Sequence, residues 1–417
     1  MAGSSIGRTP DFGSGGCRFD SCPASHDLAM RKPVEMSDRA PSEGPQPERS
    51  PSGRSLSAVV LAAGQGVRMR SERPKPLHLL CGRPLLLYVV DALAETDVDR
   101  AVVVVGTAAE RVTKRVQEDL SHLPIEFVEQ GSPRGTGDAL AAALAALGDD
   151  DEGEHDVVVL PGDMPLLSPW SVAELVRSHR QADAACTVLV ARCANPAGRA
   201  RVVRARDGRV ARVVSAIDLP DEPELAAIEE VSASVYCFRR GVLGPALRRL
   251  TPDNPDGEYR LPDVVEVLHK AGYRVGAVEV GDATELAEVD DRLHLAEIEA
   301  ELRRRINGRW LAAGVTMLDP ATCYIDATVT LGRDVTLFPN TLLQGRTVIG
   351  EGAEVGPDTR LVDCMIGAGA RVEKTVGHDA EVGPGASVGP FVSLEPGAQV
   401  PADSLVGAFT TVTMTEE

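Results

Sequence analysis

From Ile325 onward an apolar residue falls on every sixth position: Ile325, Leu331, Leu337, Leu343, Ile349, Val355 and Leu361. After a short slip at Ile366 and Val372 the period resumes at Val376 and continues through Val382, Val388, Leu394, Val400, Val406 and Val412. Glycine often follows the anchor, as at Gly332, Gly350, Gly356, Gly367, Gly377, Gly383, Gly389 and Gly407. A period of six belongs to neither an α-helix nor a simple alternating strand. It fits a parallel β-helix in which each hexad makes one flat side of a coil. The alternative, a glycine-rich linker with chance spacing, does not account for two phased runs. The repeat is expected to occupy residues 311–417.

Upstream the texture is different. Residues 58–62 and 100–106 are apolar runs of strand length, separated by an amphipathic stretch at 84–95 and followed by a helix-like one at 108–120. That alternation predicts a parallel α/β sheet. Further strands are expected at 157–160, 185–191, 231–238 and 275–280, and helices at 133–147, 170–181 and 263–271. The acidic stretch 285–305 reads as a helix joining this region to the repeat. The expected organisation is therefore an α/β domain over 55–283, a linking helix over 284–310 and the β-helix. Residues 1–54 are rich in Gly, Ser, Pro and Arg and lack an apolar signal-peptide core, so a disordered extension is expected there. Met30 and Met36 within it leave a later translation start open.

Charge narrows the partners. With 43 Lys+Arg against 62 Asp+Glu the formal net charge is -19, which argues against nucleic acid as a partner. Phosphate chemistry must then rest on a local basic cluster, helped by a metal that offsets acidic side chains. Apolar runs such as 101–105 and 157–160 are too short to span a bilayer, so no membrane is expected. The 8 cysteines form no CxxC pair and no Cys/His cluster at zinc spacing, and read as reduced thiols of a cytoplasmic protein.

The basic cluster is found at residues 59–75. Leu61-Ala62-Ala63-Gly64-Gln65-Gly66-Val67-Arg68-Met69 follows the first expected strand, and Pro74-Lys75-Pro76-Leu77 comes shortly after. Small residues let backbone N–H groups approach a triphosphate, while Arg68 and Lys75 supply positive charge. A GxG alone is weak, because glycine turns after strands are common. Joined to the RM and PKPL segments it reads as a nucleoside-triphosphate-handling loop. The other lysines are only Lys32, Lys114, Lys270 and Lys374, so Lys75 is not one of a lysine-rich surface, although a solvated cation is the alternative. Asp163 follows Gly162 after the strand expected at 157–160. A carboxylate at the C-terminal edge of a parallel sheet is placed to hold Mg²⁺ between phosphates, a helix N-cap being the alternative. Gln130 alone would read as a surface amide.

Residues 59–84 resemble the nucleotide-binding opening of the sugar-nucleotide pyrophosphorylases, specifically the bifunctional N-acetylglucosamine-1-phosphate uridylyltransferase / glucosamine-1-phosphate acetyltransferase family. The similarity runs from about Ser57 to Thr411 and includes the hexad repeat. It implies an α/β fold, with a Rossmann-like nucleotidyltransferase domain followed by a short left-handed parallel β-helix. By that resemblance the nucleotide contacts Leu61, Ala62, Ala63, Gly64, Lys75, Gln130, Gly135 and Thr136, with Gln130 and Gly135-Thr136-Gly137 matching the uracil-reading segment. Arg68, Lys75 and Asp163 would be catalytic, and Asp163 and Asp290 would hold Mg²⁺. Gly257-Glu258-Tyr259 with Asp263 matches a further segment, for binding or for packing. The implied substrates are UTP and a sugar 1-phosphate, N-acetylglucosamine 1-phosphate or a relative, giving a UDP-sugar and pyrophosphate. The implied setting is cytoplasmic synthesis of UDP-N-acetylglucosamine, a cell-envelope precursor, by a homotrimer assembled through the β-helix. The reaction is in-line attack of the sugar-phosphate oxygen on the α-phosphorus, with no protein nucleophile.

The chain departs from the family pattern at the acceptor. The GYGR segment falls on Gly198-Arg199-Ala200-Arg201, the sugar-contacting Glu on Ser215 and the Asn of an NTG segment on Ser232. This sugar-phosphate subsite of Ala200, Ser215 and Ser232 keeps another hexosamine or hexose 1-phosphate open, and dTTP as donor. A regulatory homologue that binds nucleotide sugar without turnover is the non-enzymatic alternative; retention of Arg68, Lys75 and Asp163 together speaks against it. The Asn of a GVN segment falls on Asp290, which can still bind Mg²⁺. The basic residue that precedes a PGA in the acetyl-transfer site falls on Glu395, and the remaining coils of that site would lie past Glu417. His378, the sole histidine of the repeat, matches no catalytic residue of the family. Acetyltransferase activity is therefore expected to be absent.

Overall fold

A parallel sheet buried on both faces needs strands that are apolar on both sides, and the run that opens the domain has that character. Strand β1 (Ser55–Ala62) pairs in parallel with β4 (Arg100–Val105) on one side and with β6 (His155–Pro161) on the other. The computed structural model describes residues 54–106, 108–119, 123–148 and 155–414. The disorder expected for residues 1–54 falls outside these, apart from Arg54.

Between β1 and β4 lie the short hairpin β2 (Leu79–Leu80) and β3 (Arg83–Pro84) and helix α1 (Leu85–Ala94). The chain continues through α2 (Ala109–Gln117), β5 (Ile125–Glu129) and α3 (Thr136–Ala146) to β6, then α4 (Pro169–Gln181) and β7 (Cys186–Arg192). The hairpin β8 (Ala200–Arg204) and β9 (Val210–Val214) precedes β10 (Glu230–Arg239), α5 (Arg240–Leu247), α6 (Asp263–Lys270) and β11 (Val275–Glu279). The sheet order is β11-β7-β10-β6-β1-β4-β5, with β10 antiparallel to both neighbours and the β8–β9 hairpin hung on β10. One apolar core packs α1, α2 and α4 on one face, and a second packs α3, α5 and α6 on the other. Because β4 and β6 flank β1 on opposite sides, the topology switches there, and in open α/β sheets ligands bind at the carboxyl ends of strands at such a point. Strand β5, the β8–β9 hairpin and α5 were not expected. Strand β5 is half polar, β8 and β9 carry arginines, and α5 contains Gly241, Gly244 and Pro245.

The linking helix differs from expectation at both ends. Helix α7 runs Arg292–Ala312, later than the 285–305 stretch. Its start is fixed by Asp291, whose carboxylate accepts from the amides of Leu293 and His294 at 2.9 Å. The residues before it serve other bonds: Glu285 accepts from the amide and hydroxyl of Ser168, and the Val289 amide donates to the Asp163 carbonyl at 3.0 Å. Gly308 lies inside the helix, and the chain turns at Gly314, where φ is 97°.

The repeat forms a left-handed parallel β-helix of three stacked sheets. Inward positions stack coil on coil, as in the column Ile325, Leu343, Leu361, Gly377, Leu394 and Val412. One expected anchor is corrected: Val376 points outward, 56 % exposed, and Gly377 takes the inward place. A Cβ on Gly377 would sit 3.0 Å from Leu361 Cδ2 and 3.4 Å from Leu394 Cδ1, so the large residues above and below already fill this position. Leu361 to Gly377 is 16 residues and Gly377 to Leu394 is 17, against 18 from Leu343 to Leu361, so two shortened coils absorb the slip.

Helix α7 joins the two regions. Ile298, Leu302 and Ile306 lie in one apolar cluster with Leu80, Cys81 and Leu85 and with the first inward residues of the β-helix. The tip of the β2–β3 hairpin is seated on the first coil, where the Ala327 amide donates to the Cys81 carbonyl at 2.9 Å. Among the described residues no helix is long and apolar enough to cross a membrane.

Candidate active site

The loop after β1 leaves the sheet at the switch point. Residues 63–66 turn back so tightly that a Cβ on Gly66, at φ 62°, would lie 2.8 Å from the Cβ of Lys75. A Cβ on Gly64 would meet nothing, so its backbone faces open space. Two short 3₁₀ turns follow, Val67–Met69 with Arg68 and Lys75–Leu77, which Lys75 opens.

Lys75 is largely buried, and its ammonium donates to Asp163 and lies 3.5 Å from Asp290. Burial pulls its pKa down, but Asp163 first, then Asp290 and Glu288, outweigh it and hold the group above its ordinary value. The Arg68 guanidinium, 70 % exposed, donates to Asp290 at 2.7 Å. Asp163 reaches this point because Gly162 crosses β1 closely, its amide bonded to the Leu61 carbonyl at 2.9 Å. Arg68, Lys75, Asp163 and Asp290 are thus gathered into one cluster. Glu288, which sequence reasoning did not single out, adds a carboxyl. Burial and the neighbouring Asp163 and Asp290 push it up to about 8.

Asp163 Oδ1 is buried and has no hydrogen-bond partner, and Asp290 shares the same ammonium. Mg²⁺ commonly takes one or two carboxylates and completes its shell with phosphate and water. The pair fits that pattern, although among the described residues no group of three or more His, Cys, Asp or Glu is disposed around one point.

Gln130 and the start of α3 stand at the same edge of the sheet. The Gln130 amide bonds the Val105 carbonyl at the end of β4, and its side-chain Nε2 donates to Asp138 at 2.9 Å and to the Gly135 carbonyl at 3.2 Å. The Thr136 hydroxyl accepts from the Leu261 amide at 3.0 Å. The Tyr259 carbonyl accepts from the Gly137 amide at 2.7 Å, and a Cβ on Gly135 would lie 2.6 Å from that carbonyl. The 257–259 segment therefore packs as a strap over the Gly-Thr-Gly turn. Ala200 and Ser232 are register partners across β8 and β10. Pairing of Arg201 with Val214 carries Ser215 beside them. In the β-helix, Glu395 is exposed and accepts from the Ser393 hydroxyl at 2.9 Å, and His378 is exposed at a strand end.

A glycine-turned loop at a sheet switch point, with two cations facing two carboxylates, joined to a parallel β-helix, defines a nucleotidyltransferase. A model of the MobA-like NTP transferase domain matches residues 58–261. The bifunctional protein GlmU of Mycobacterium tuberculosis is 43% identical over 356 residues, covering 85% of this chain and 71% of the relative. Its counterpart from Streptomyces avermitilis is 42% identical over 357 residues, covering 85% and 73%. That of Mycolicibacterium gilvum is 42% identical over 353 residues, covering 84% and 70%. The chain belongs to the GlmU family.

Proposed function

We propose that this protein transfers a uridylyl group from UTP to a sugar 1-phosphate, N-acetylglucosamine 1-phosphate or a close relative, releasing pyrophosphate in the cytoplasm. The observation that carries this reading is the meeting of Lys75 with Asp163 and Asp290 beside the open backbone at Gly64. Residues 55–283 would hold the substrates, with residues 284–310 linking them to the β-helix of 311–417. The nucleotide lies along Leu61, Ala62, Ala63 and Gly64, its base toward Gln130, Gly135 and Thr136. The sugar phosphate lies at Ala200, Ser215 and Ser232.

An oxygen of the sugar phosphate attacks the α-phosphorus; the new P–O bond forms as the bond to the β-phosphate oxygen breaks, and pyrophosphate leaves with that electron pair. Arg68 and Lys75 bind and orient the triphosphate and offset the charge that develops on it. Asp163 and Asp290 are the residues that would hold Mg²⁺, which when bound neutralises phosphate charge. Acetyl transfer is not part of the proposal, because Glu395 places a carboxylate where the resemblance calls for a cation. The β-helix serves instead to assemble a homotrimer.

The test is pyrophosphate release across a panel of nucleoside triphosphates and hexose or hexosamine 1-phosphates with Mg²⁺, with acetyl-coenzyme A consumption on glucosamine 1-phosphate measured in parallel. UTP with an N-acetylhexosamine 1-phosphate is expected to release pyrophosphate fastest, and acetyl-coenzyme A to persist. No release from any pair would remove the enzyme reading. Preference for dTTP or for a hexose 1-phosphate would keep the chemistry and change the substrates.

A further inference from the structure

Arg292 opens α7 two residues beyond Asp290, and its guanidinium reaches back over the nucleotide loop. Nε donates to the Met69 carbonyl at 3.2 Å, and Nη1 donates to His78 Nδ1 at 3.3 Å. Met69 closes the turn that carries Arg68, and His78 follows the turn that Lys75 opens. Both Met69 and His78 are buried. One side chain therefore touches the end of each cation-bearing turn.

Neither turn is well secured on its own. Each is three residues long and lacks a side-chain cap, and the first is flanked by Gly66 and Arg70, both in the left-handed region at φ 62° and 47°. Short 3₁₀ turns with such flanks persist when their surroundings fix them. We infer that Arg292 is a positioning residue for nucleotidyl transfer: by bonding the Met69 carbonyl and the His78 imidazole it fixes the two turns to each other and to the helix that begins beside Asp290. The inference rests on reading this loop as the triphosphate site.

The residue type suits the task. A planar guanidinium presents N–H groups from separate nitrogens in fixed directions and can serve two acceptors from two turns, whereas the three donors of an ammonium all leave one rotatable nitrogen. For Nδ1 to accept, His78 must be neutral with its proton on Nε2. Burial first, and the Arg292 charge next, hold its pKa below the ordinary value, in keeping with that state. Arg292 itself is exposed, so its replacement opens no cavity and leaves the core intact.

The full chain is compared as wild type, Arg292→Gln and Arg292→Lys, each with and without Arg68→Ala, by steady-state pyrophosphate release, thermal unfolding and amide hydrogen exchange over residues 66–78. In Arg292→Gln, kcat/KM for the nucleoside triphosphate should fall roughly tenfold or more. KM for the sugar phosphate and the thermal midpoint should stay unchanged. Arg292→Lys should recover part of the loss. The loss should be smaller in the Arg68→Ala background, because both changes act through one turn. Amides of residues 66–78 should exchange faster in Arg292→Gln without substrate. Wild-type kinetics in Arg292→Gln, or a kinetic loss that only tracks a fall in thermal midpoint, overturns the inference. If wild type turned over no triphosphate, the nucleotidyl-transfer reading would fall and the inferred role in catalysis with it; exchange would then separately show whether Arg292 holds the loop.

Discussion

Lys75 is an ammonium whose water has been replaced by carboxylates, and this sets what its removal does. With Asp163, Asp290 and Glu288 holding its pKa up, it stays charged through neutral pH and presents a fixed cation to an arriving triphosphate. Lys75→Ala removes that cation and leaves the Asp163 and Asp290 carboxylates without it, so kcat should fall by about 10²–10³-fold, the scale of losing one preorganised electrostatic contact. Asp163→Ala should fall at least as far, since it removes the carboxylate that positions Lys75 and would hold Mg²⁺. Pyrophosphate release measures both, and an unchanged circular dichroism spectrum separates lost chemistry from lost fold. A Lys75→Ala enzyme with wild-type kcat would make Lys75 a structural counter-ion only. Lys75, Arg68 and Asp163 were legible in the sequence because each lies in a short segment with its own local signature. Arg292 was not, because its partners stand 223 and 214 residues earlier in the chain and nothing local marks it. Glu288 was hidden for the same reason: its neighbours Asp163 and Lys75 are brought to it by the Val289–Asp163 backbone bond.

Among the elements, those that were legible are the ones whose pattern repeats or whose two faces are both apolar. The buried parallel strands and the hexad coils met that condition; β5, the arginine-bearing β8–β9 hairpin and the proline-containing α5 did not. The point where the hexad period broke is instructive. Counting six back from Val382 favours Val376, yet the shortened coil turns Val376 out and places Gly377 between Leu361 and Leu394. A side chain at Gly377 must share a space that also has Cys364 Sγ 3.2 Å from the added Cβ. Gly377→Val should therefore lower stability by about 1–3 kcal/mol through overpacking. Val376→Ser, on the exposed side of the same strand, should stay within about 0.5 kcal/mol of wild type. Denaturant unfolding of the two variants decides this, and equal effects would mean that the inward column does not run through Gly377. The outcome also bears on the reading of the slip as two coils shortened without loss of register.

At the scale of the whole molecule, a net charge of -19 opposes association of like copies, so an assembly of this chain needs a surface where apolar contact outweighs repulsion. The β-helix provides exposed apolar side chains along one of its sheets, with Val376 at 56 % and Phe391, just before the next strand of that sheet, at 54 % exposure. They stand on a rigid stack of paired backbones, so meeting a second copy would order few new torsions. This is the physical case for the proposed homotrimer, with Phe391 chosen because it also stacks on Phe409 at 5.4 Å and would present a flat aromatic face. Wild-type protein should then sediment as a trimer, and more firmly at high salt, which screens the repulsion between acidic surfaces. The double variant Val376→Glu with Phe391→Glu should sediment as a smaller particle while retaining pyrophosphate release, because the proposed triphosphate site is built from residues before the β-helix. A wild-type monomer would remove the trimer, and a variant that stays trimeric would place the contact on another face of the coil.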